Sequence, residues 1–316
     1  MEQSFAEDVL HGLSSTQKRL PSKYFYDNRG SKIFVEIMGM PEYYLTGCEQ
    51  EIFSQHAKDI AELSWKPGLQ IVELGAGDGL KTMQLLKAFA SLKKEVEYVP
   101  IDISEGAVNL LLKRMKKELP KQKVNPKVGE YFQALEEMLH DSDKPKLILF
   151  LGSNIGNYSQ QDAQVFLKRL NRNLLAGDQV LIGVDLKKSP SLILPAYSDN
   201  KGITARFNLN LLKRINRELG ANFNLRRFRH YASYDPDTGE VRSYLISKVE
   251  QEVYIEKLNK SFQLAKMESI HTEISKKYAI DEFDELASHC GYSTKEQFFD
   301  SRHFFMDALW EKSGEL

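Results

Sequence analysis

The sequence predicts an α/β fold: a doubly wound, mostly parallel sheet covered by helices, with a second, smaller α+β lobe. Three observations lead there. Short apolar runs alternate with amphipathic ones between about residues 69 and 186. The stretch IVELGAGDGLKT, residues 71–82, sets three glycines two apart between an apolar run and a helical one. Near Lys187 the rhythm stops and runs that alternate as antiparallel strands do take over. Apolar strands separated by helices are buried on both faces, which is the signature of a parallel sheet.

The elements follow in order. Residues 1–49 begin helical, become mixed, and end in the aromatic cluster PEYYLTGCE (41–49). LQIVEL (69–74) is a short strand and LKTMQLLKAFASL (80–92) an amphipathic helix. VEYVPIDIS (96–104) is a strand with an acid near its end, and EGAVNLLLKRMKKEL (105–119) a helix. KLILFLG (146–152) is a buried strand, SQQDAQVFLKRLNRNL (159–174) a helix opened by a serine cap, and DQVLIGVDL (178–186) another strand. FNLNLLKRINREL (207–219) is a helix. RRFRHYASY (226–234), GEVRSYLISKV (239–249) and QEVYIEKL (251–258) are antiparallel strands, with DPDTG (235–239) as a turn. SIHTEISKKY (269–278) alternates too, and a helix at 280–291 precedes two strand-like runs, STKEQFFDS and RHFFMDALWEK. The expected domains are therefore 50–186 completed by 278–316, and 1–49 with 187–277.

Bulk properties narrow the function. With 43 basic and 44 acidic residues among 316, nothing favours a nucleic-acid backbone or an anionic membrane as partner. The basic stretch KRMKKELPKQK (113–123) reads as a solvated helix face and its loop. Cys48 and Cys290 are far apart and form no metal-ligand spacing, which fits a reducing compartment. No 18-residue apolar run occurs, and the acidic start MEQSFAED lacks signal-peptide features. A cytoplasmic monomer acting on a small molecule is expected.

The glycine loop narrows it further. Gly75, Gly77 and Gly79 allow positive φ and close backbone approach where a strand's carboxyl end meets a helix N-terminus, the place where open α/β sheets bind ligands. A dinucleotide fingerprint wants G-x-G-x-x-G, whereas the spacing here is G-x-G-x-G with Glu73 two residues before it. Asp102 ends the following strand, 23 residues past Gly79, a position suited to a carboxylate bonding both hydroxyls of a ribose. This arrangement resembles the Rossmann-like class I methyltransferases that use S-adenosylmethionine. NAD is the alternative cofactor, and a simple tight turn the plain structural reading.

Four longer stretches carry a more specific resemblance: LPSKYFYDNRGSKIFVEIMGMPEYYLTGCE (20–49), FLGSNIGN (150–157), FNLNLLKRINRELGANF (207–223) and HTEISKKY (271–278). In this order they are similar to the motifs of the histidine Nα-methyltransferase family of the ergothioneine pathway, over almost the whole chain. The resemblance implies transfer of methyl groups from S-adenosylmethionine to the α-nitrogen of L-histidine, in succession to trimethylhistidine (hercynine), with S-adenosylhomocysteine as the other product. It also implies roles. Gly75, Lys81 and Asp102 fall on cofactor positions, and the turn Gly129–Tyr131, hence Glu130 and Tyr131, lies near the adenine. Asn157 would hold the substrate's amine and carboxylate, and Tyr197 the carboxylate. Tyr43, Glu273 and Ser275 would surround the imidazole, and Tyr26 would lie near the amine.

Side-chain chemistry is consistent with these roles. Asn157 follows an apolar strand at its carboxyl end, and an amide both donates and accepts. Read alone it is an ordinary turn residue. Glu273 and Ser275 are two apart in a strand-like run and so share a face. A carboxylate beside a hydroxyl matches the N–H and bare nitrogen of imidazole. A buried site of that kind rejects apolar analogues by ~10⁴ or more, because its own polar groups would be stranded. One of Tyr43 and Tyr44 is expected in the core. In a regular strand His271 shares the face of Glu273 and Thr272 points away; with no second histidine at ligand spacing, His271 is read as structural and no metal is expected. In the expected mechanism Asn157 and the Tyr26 hydroxyl hold the neutral amine toward the methyl while water removes its proton. A trimethylammonium product fits a roomy pocket edged by aromatic faces, where cation–π attraction contributes ~0.5–2 kcal/mol.

Two positions depart from the family pattern. Gly47 stands where an arginine is expected, and Ser243 where a bulky apolar residue would adjoin the substrate. A small side chain at 243 enlarges the pocket, so another aromatic amino acid or a partly methylated histidine is the alternative substrate. A non-catalytic amino-acid binder is the alternative from outside the enzymes, opposed by Glu73, Asp102 and Asn157.

Overall fold

The computed structural model describes residues 4–77, 79–102, 105–141 and 143–314. Asp78 of the glycine loop lies outside the described residues, as do Ile103 and Ser104, read above as the end of a strand. The chain divides into two compact units, Met1–Tyr44 with Lys188–Lys277 and Leu45–Lys187 with Tyr278–Leu316. The first boundary falls at 44/45 instead of 49/50. The reason is a single helix, Leu45–Ser64, whose buried stripe of Cys48, Ile52, Phe53, Ala57, Ile60 and Ala61 belongs wholly to the larger unit.

The larger unit is built on one sheet, eight-stranded among the described residues. Gln70–Leu74 lies at its centre, parallel to Glu97–Asp102 on one side and Lys146–Phe150 on the other. Gln179–Asp185 continues the parallel set, and the short strands Lys123–Val124 and Lys127–Val128 extend it past Glu97–Asp102. Phe305–Lys312 pairs antiparallel with Gln179–Asp185, and Tyr292–Phe299 pairs antiparallel with Phe305–Lys312. The apolar strands are so because both faces are covered: every residue of Gln70–Leu74, Lys146–Phe150 and Gln179–Asp185 is buried. Helices Leu80–Ser91, Glu105–Glu118, Gln160–Arg172 and Ile280–His289 arise where the sequence predicts them. The Ser159 hydroxyl accepts the Asp162 N–H, the cap expected for the third of these. This is the class I methyltransferase arrangement. A further helix, Tyr131–Asp141, starts where the sequence reading saw only a turn.

The smaller unit is α+β. A three-stranded antiparallel sheet runs in the order Ser269–Lys276, Glu240–Ser247, Phe228–Asp235. Helix Ile203–Leu219 lays Phe207, Leu211, Leu212 and Ile215 into a core shared with Phe25, Ile33, Ile37, Phe228, Leu245 and Ile270. The helix starts on the Asp199 carboxylate, which accepts the N–H groups of Ile203 and Thr204 at 2.9 and 2.8 Å. Residues 251–258 do not widen the sheet: Gln251–Ile255 pairs instead with Lys260–Leu264, a strand the sequence reading missed. Helix Pro190–Tyr197 is likewise absent from the expected elements, its pattern masked by Pro190 at its start and Pro195 inside it.

Candidate active site

In the larger unit, the loops at the carboxyl ends of the parallel strands converge. Gly75 leaves the central strand at φ +77°, a region costly for any residue with a Cβ. A Cβ there would also stand 2.8 Å from the Tyr131 hydroxyl. The glycine and the tyrosine are thus fitted to each other. The Gly77 N–H donates to the Asp102 carboxylate at 3.3 Å, which joins the glycine loop to the end of the next strand. Tyr131 opens the helix Tyr131–Asp141; burial, then the charge of Asp102, raises its hydroxyl pKa and keeps it a neutral donor. Glu130, just before it, is exposed. Gly75, Gly77, Asp102, Glu130 and Tyr131 therefore come to one edge of one unit.

Lys81 lies on the same edge, in the first turn of helix Leu80–Ser91, and its ammonium is paired with Glu49. Burial opposes that charge, but the Glu49 carboxylate more than offsets it and raises the lysine pKa. Glu73 is placed differently from the other predicted cofactor residues. Its carboxyl is buried, accepts the Thr82 hydroxyl at 2.6 Å on one oxygen and the Tyr98 hydroxyl on the other, and is pushed up to about 7, chiefly by desolvation. It clasps the central strand to the following helix and strand from inside. Asn157 ends the short turn Asn154–Asn157 after strand Lys146–Phe150; among the described residues no hydrogen bond takes up its half-buried side-chain amide. The turn is pinned by the Ser153 hydroxyl, which accepts the Asp185 N–H at 3.1 Å.

In the smaller unit, Glu273 and Ser275 share a face of the three-stranded sheet, opposite Ser243 and Val241. Ser243 donates to Glu273 at 3.4 Å. Burial pushes the Glu273 carboxyl up to about 7, against the charge of Lys277 and the Ser243 bond. The Ser275 and Tyr197 hydroxyls are 2.9 Å apart, and the fully buried Lys277 donates to both, at 2.9 and 2.6 Å. An ammonium has no lone pair, so each oxygen must accept from it; one hydroxyl donates to the other, and the remaining O–H is left to donate outward. Lys277 was missed by the sequence reading, although it has the same parity as Glu273 and Ser275.

Aromatic rings extend from this cluster. Tyr43 lies 6.4 Å from Tyr197 and 6.1 Å from Phe34, and Phe34 lies 5.4 Å from Tyr26, all centroid to centroid. Tyr26 is 40% exposed and sits at the far end of this chain of rings rather than inside the polar cluster. Tyr43 and Tyr44 are both half-buried, and Lys188 donates to the Tyr44 hydroxyl at 3.0 Å.

His271 does not share the face of Glu273. The register shifts between them: His271 opposes Tyr244 while Glu273 opposes Ser243, so Thr272 is an inserted residue. Tyr244 and Ser243 point to opposite faces, and their partners do likewise. His271 packs 5.4 Å from the Tyr244 ring, and its pKa is lowered, first by burial. Thr272 turns inward and donates to Asn208 at 2.7 Å. Among the described residues, no group of three His, Cys, Asp or Glu side chains is arranged to hold a metal ion.

Known proteins resemble the chain over nearly its whole length. The profile of the family described as histidine-specific methyltransferase, SAM-dependent, matches residues 5–312. The chain is 33% identical to a histidine N-alpha-methyltransferase of Mycolicibacterium smegmatis, over 87% of this chain and 85% of that protein. It is 34% identical to the protein of the same name in Mycobacterium tuberculosis, over 86% and 83%. An L-tryptophan methyltransferase of Psilocybe serbica is 28% identical over 93% and 89%. With the parallel sheet, its glycine loop and the acid ending the next strand already in place, these matches make the chain a member of the S-adenosylmethionine-dependent, histidine-specific methyltransferase family.

Proposed function

We propose that the protein methylates the α-nitrogen of L-histidine, in successive rounds that end at trimethylhistidine. The observation that carries this reading is the polar cluster of the smaller unit: the Glu273 carboxyl, which burial pushes up to about 7, beside a hydroxyl pair with one O–H left to donate. A neutral imidazole offers one N–H to the carboxylate and one bare nitrogen to the hydroxyls. An apolar ring would strand all of them.

Bound S-adenosylmethionine supplies an electrophilic methyl group on a cationic sulfur. The residues that would hold it fit that ligand: Asp102 for the ribose hydroxyls, Glu130 and Tyr131 beside the adenine, Lys81 for the carboxylate, and Gly75 and Gly77 as the wall that comes closest. Glu73 acts on the cofactor indirectly, by fixing the loop. Asn157, whose amide is uncommitted within its unit, would hold the substrate's amine and carboxylate, with Tyr197 assisting at the carboxylate. Tyr43 would flank the imidazole bonded by Glu273 and Ser275. The α-ammonium must lose a proton before it has a lone pair to offer, and Asn157 with the Tyr26 hydroxyl would orient the neutral amine while water takes that proton. A monomer in the cytoplasm is part of the same proposal; among the described residues no helix is long and apolar enough to cross a membrane.

Ser243 favours a second reading. Its small side chain adjoins Glu273, and a relative that acts on tryptophan lies within reach of the same sequence. Mass spectrometry of histidine, tryptophan, tyrosine and their α-N-methyl forms, each incubated with S-adenosylmethionine, separates the two. Histidine should gain up to three methyl groups. Methylation of tryptophan or tyrosine in preference to histidine would replace the first reading by the second.

A further inference from the structure

Asp307 breaks the rule that buried polar groups find partners. It is 0% exposed, and among the described residues neither carboxyl oxygen has a hydrogen-bond partner. It sits on strand Phe305–Lys312 opposite Gly183, and that glycine explains what it faces: a Cβ on Gly183 would stand 2.8 Å from an Asp307 oxygen and 2.3 Å from Glu49 Oε1. Two carboxyl groups therefore crowd over a glycine that has no room for a side chain. Facing oxygens make no hydrogen bond while both are ionised, since neither has a donor. A single proton would supply it.

Charge balance points the same way. The charged groups facing Asp307 are Glu49 and Lys81, and Glu73 faces Lys81 in turn with its oxygens already taken by Thr82 and Tyr98. The neighbouring strands present Gly183 and Phe298, which carry no charge. Lys81 is the cation these acids share, so ionising both Asp307 and Glu49 leaves buried negative charge uncompensated, an excess that an ionised Glu73 enlarges and a proton on Asp307 reduces. Glu49 is the member placed to accept: Lys81 bonds its Oε2 and the Gly152 N–H donates to its Oε1 at 2.7 Å. Gly152 opens the segment that ends at Asn157.

We propose that Asp307 keeps its proton and donates it to Glu49, and that this shared-proton pair positions both Lys81 and the Gly152–Asn157 turn at the cofactor edge. Neither acid touches the cofactor; both act through Lys81 and the Gly152 backbone. Burial and the Glu49 charge raise the Asp307 pKa well above the usual carboxylate range, in agreement.

The test is infrared spectroscopy of the ligand-free protein at about pH 9, where the other raised carboxyls have ionised. A protonated-acid carbonyl band should remain. It should move with heavy-carbon aspartate labelling but not with glutamate labelling, and vanish in Asp307→Asn. No such band, or one that moves with glutamate, overturns the assignment of the proton to Asp307 in the wild-type protein without need of a variant. The positioning role rests on the assignment of Lys81 to the cofactor and is read by calorimetry of S-adenosylhomocysteine. Glu49→Gln should weaken binding by about tenfold or more, while Asp307→Asn, whose amide can still donate to Glu49, should cost no more than about threefold. Equal losses in the two variants, or none in Glu49→Gln, overturn the positioning role alone and leave the proton assignment to the spectrum.

Discussion

The edge of the larger unit where we propose the cofactor binds and the polar cluster of the smaller one are built on opposite principles. The edge is mainly backbone: positive-φ glycines, strand ends and a helix start, with side chains such as Tyr131 fitted against them. The cluster is side chains on a sheet face, held by one buried ammonium. Backbone geometry tolerates sequence change everywhere except at a few glycines. A side-chain cluster depends on each member's protonation and on strand register. The first kind of site should fail sharply where a glycine is replaced, the second by degrees and with the protonation of its members.

The largest effect is expected at Gly75. Gly75→Val puts a branched side chain at φ +77° and against the Tyr131 hydroxyl, so S-adenosylhomocysteine affinity should fall by about 100-fold or more, with no pH dependence. Calorimetry checks this; a variant that binds within about threefold of wild type, roughly 0.7 kcal/mol, would mean the loop is not the cofactor's wall.

Lys277→Met comes next. Losing a charged donor to two hydroxyls should raise the KM for histidine by about 10- to 100-fold, since hydrogen bonds to charged groups contribute about 1.5–3 kcal/mol, and should leave cofactor affinity untouched. A loss in cofactor affinity instead would break the division of labour between the two regions.

The smallest effect is the one that depends on pH. With its carboxyl pushed up to about 7, Glu273 is largely protonated at pH 6 and ionised at pH 8, so the wild-type KM for histidine should fall as pH rises through 7. Glu273→Gln should have a flatter profile, with a higher KM at pH 8. Stability moves the other way. The folded protein holds this proton more tightly than the unfolded chain, so the cost of burying Glu273 grows as pH rises from about 4.5 to 7 and is constant above that. At pH 8 Glu273→Gln should therefore be more stable than wild type, by up to about 1–3 kcal/mol. Denaturant titrations at pH 5 and 8 measure the difference. A variant equally destabilised at both values would show Glu273 ionised throughout.

Much of this was legible in the sequence where the signal is local. The alternation of apolar and amphipathic runs located the four longer parallel strands to within a residue or two, but not the short pairs Lys123–Val124 and Lys127–Val128. The glycine spacing marked the loop, and parity put Glu273 with Ser275. Parity failed at His271, because one inserted residue reverses every later side chain and nothing in HTEISKKY announces it. Helix Leu45–Ser64 was cut at the wrong place because the signature ending at Glu49 runs into its first turn. Glu73 looked like a ligand residue by spacing alone, yet its two oxygens are taken by Thr82 and Tyr98. The pairing of Glu49 with Asp307 joins residues more than 250 positions apart, beyond any periodicity.

The sequence by itself determined the fold class, the glycine loop and the family, and it named most of the residues to which we assign the chemistry, because each is written in short-range pattern: period, spacing, motif. Only the tertiary structure decided which polar groups are buried together. That choice sets the protonation of Glu273, the donor bias of Ser275 and Tyr197 under Lys277, and the crowding of Asp307 against Glu49. Desolvation and hydrogen bonding depend on neighbours in space, and neighbours in space are what a one-dimensional pattern does not contain.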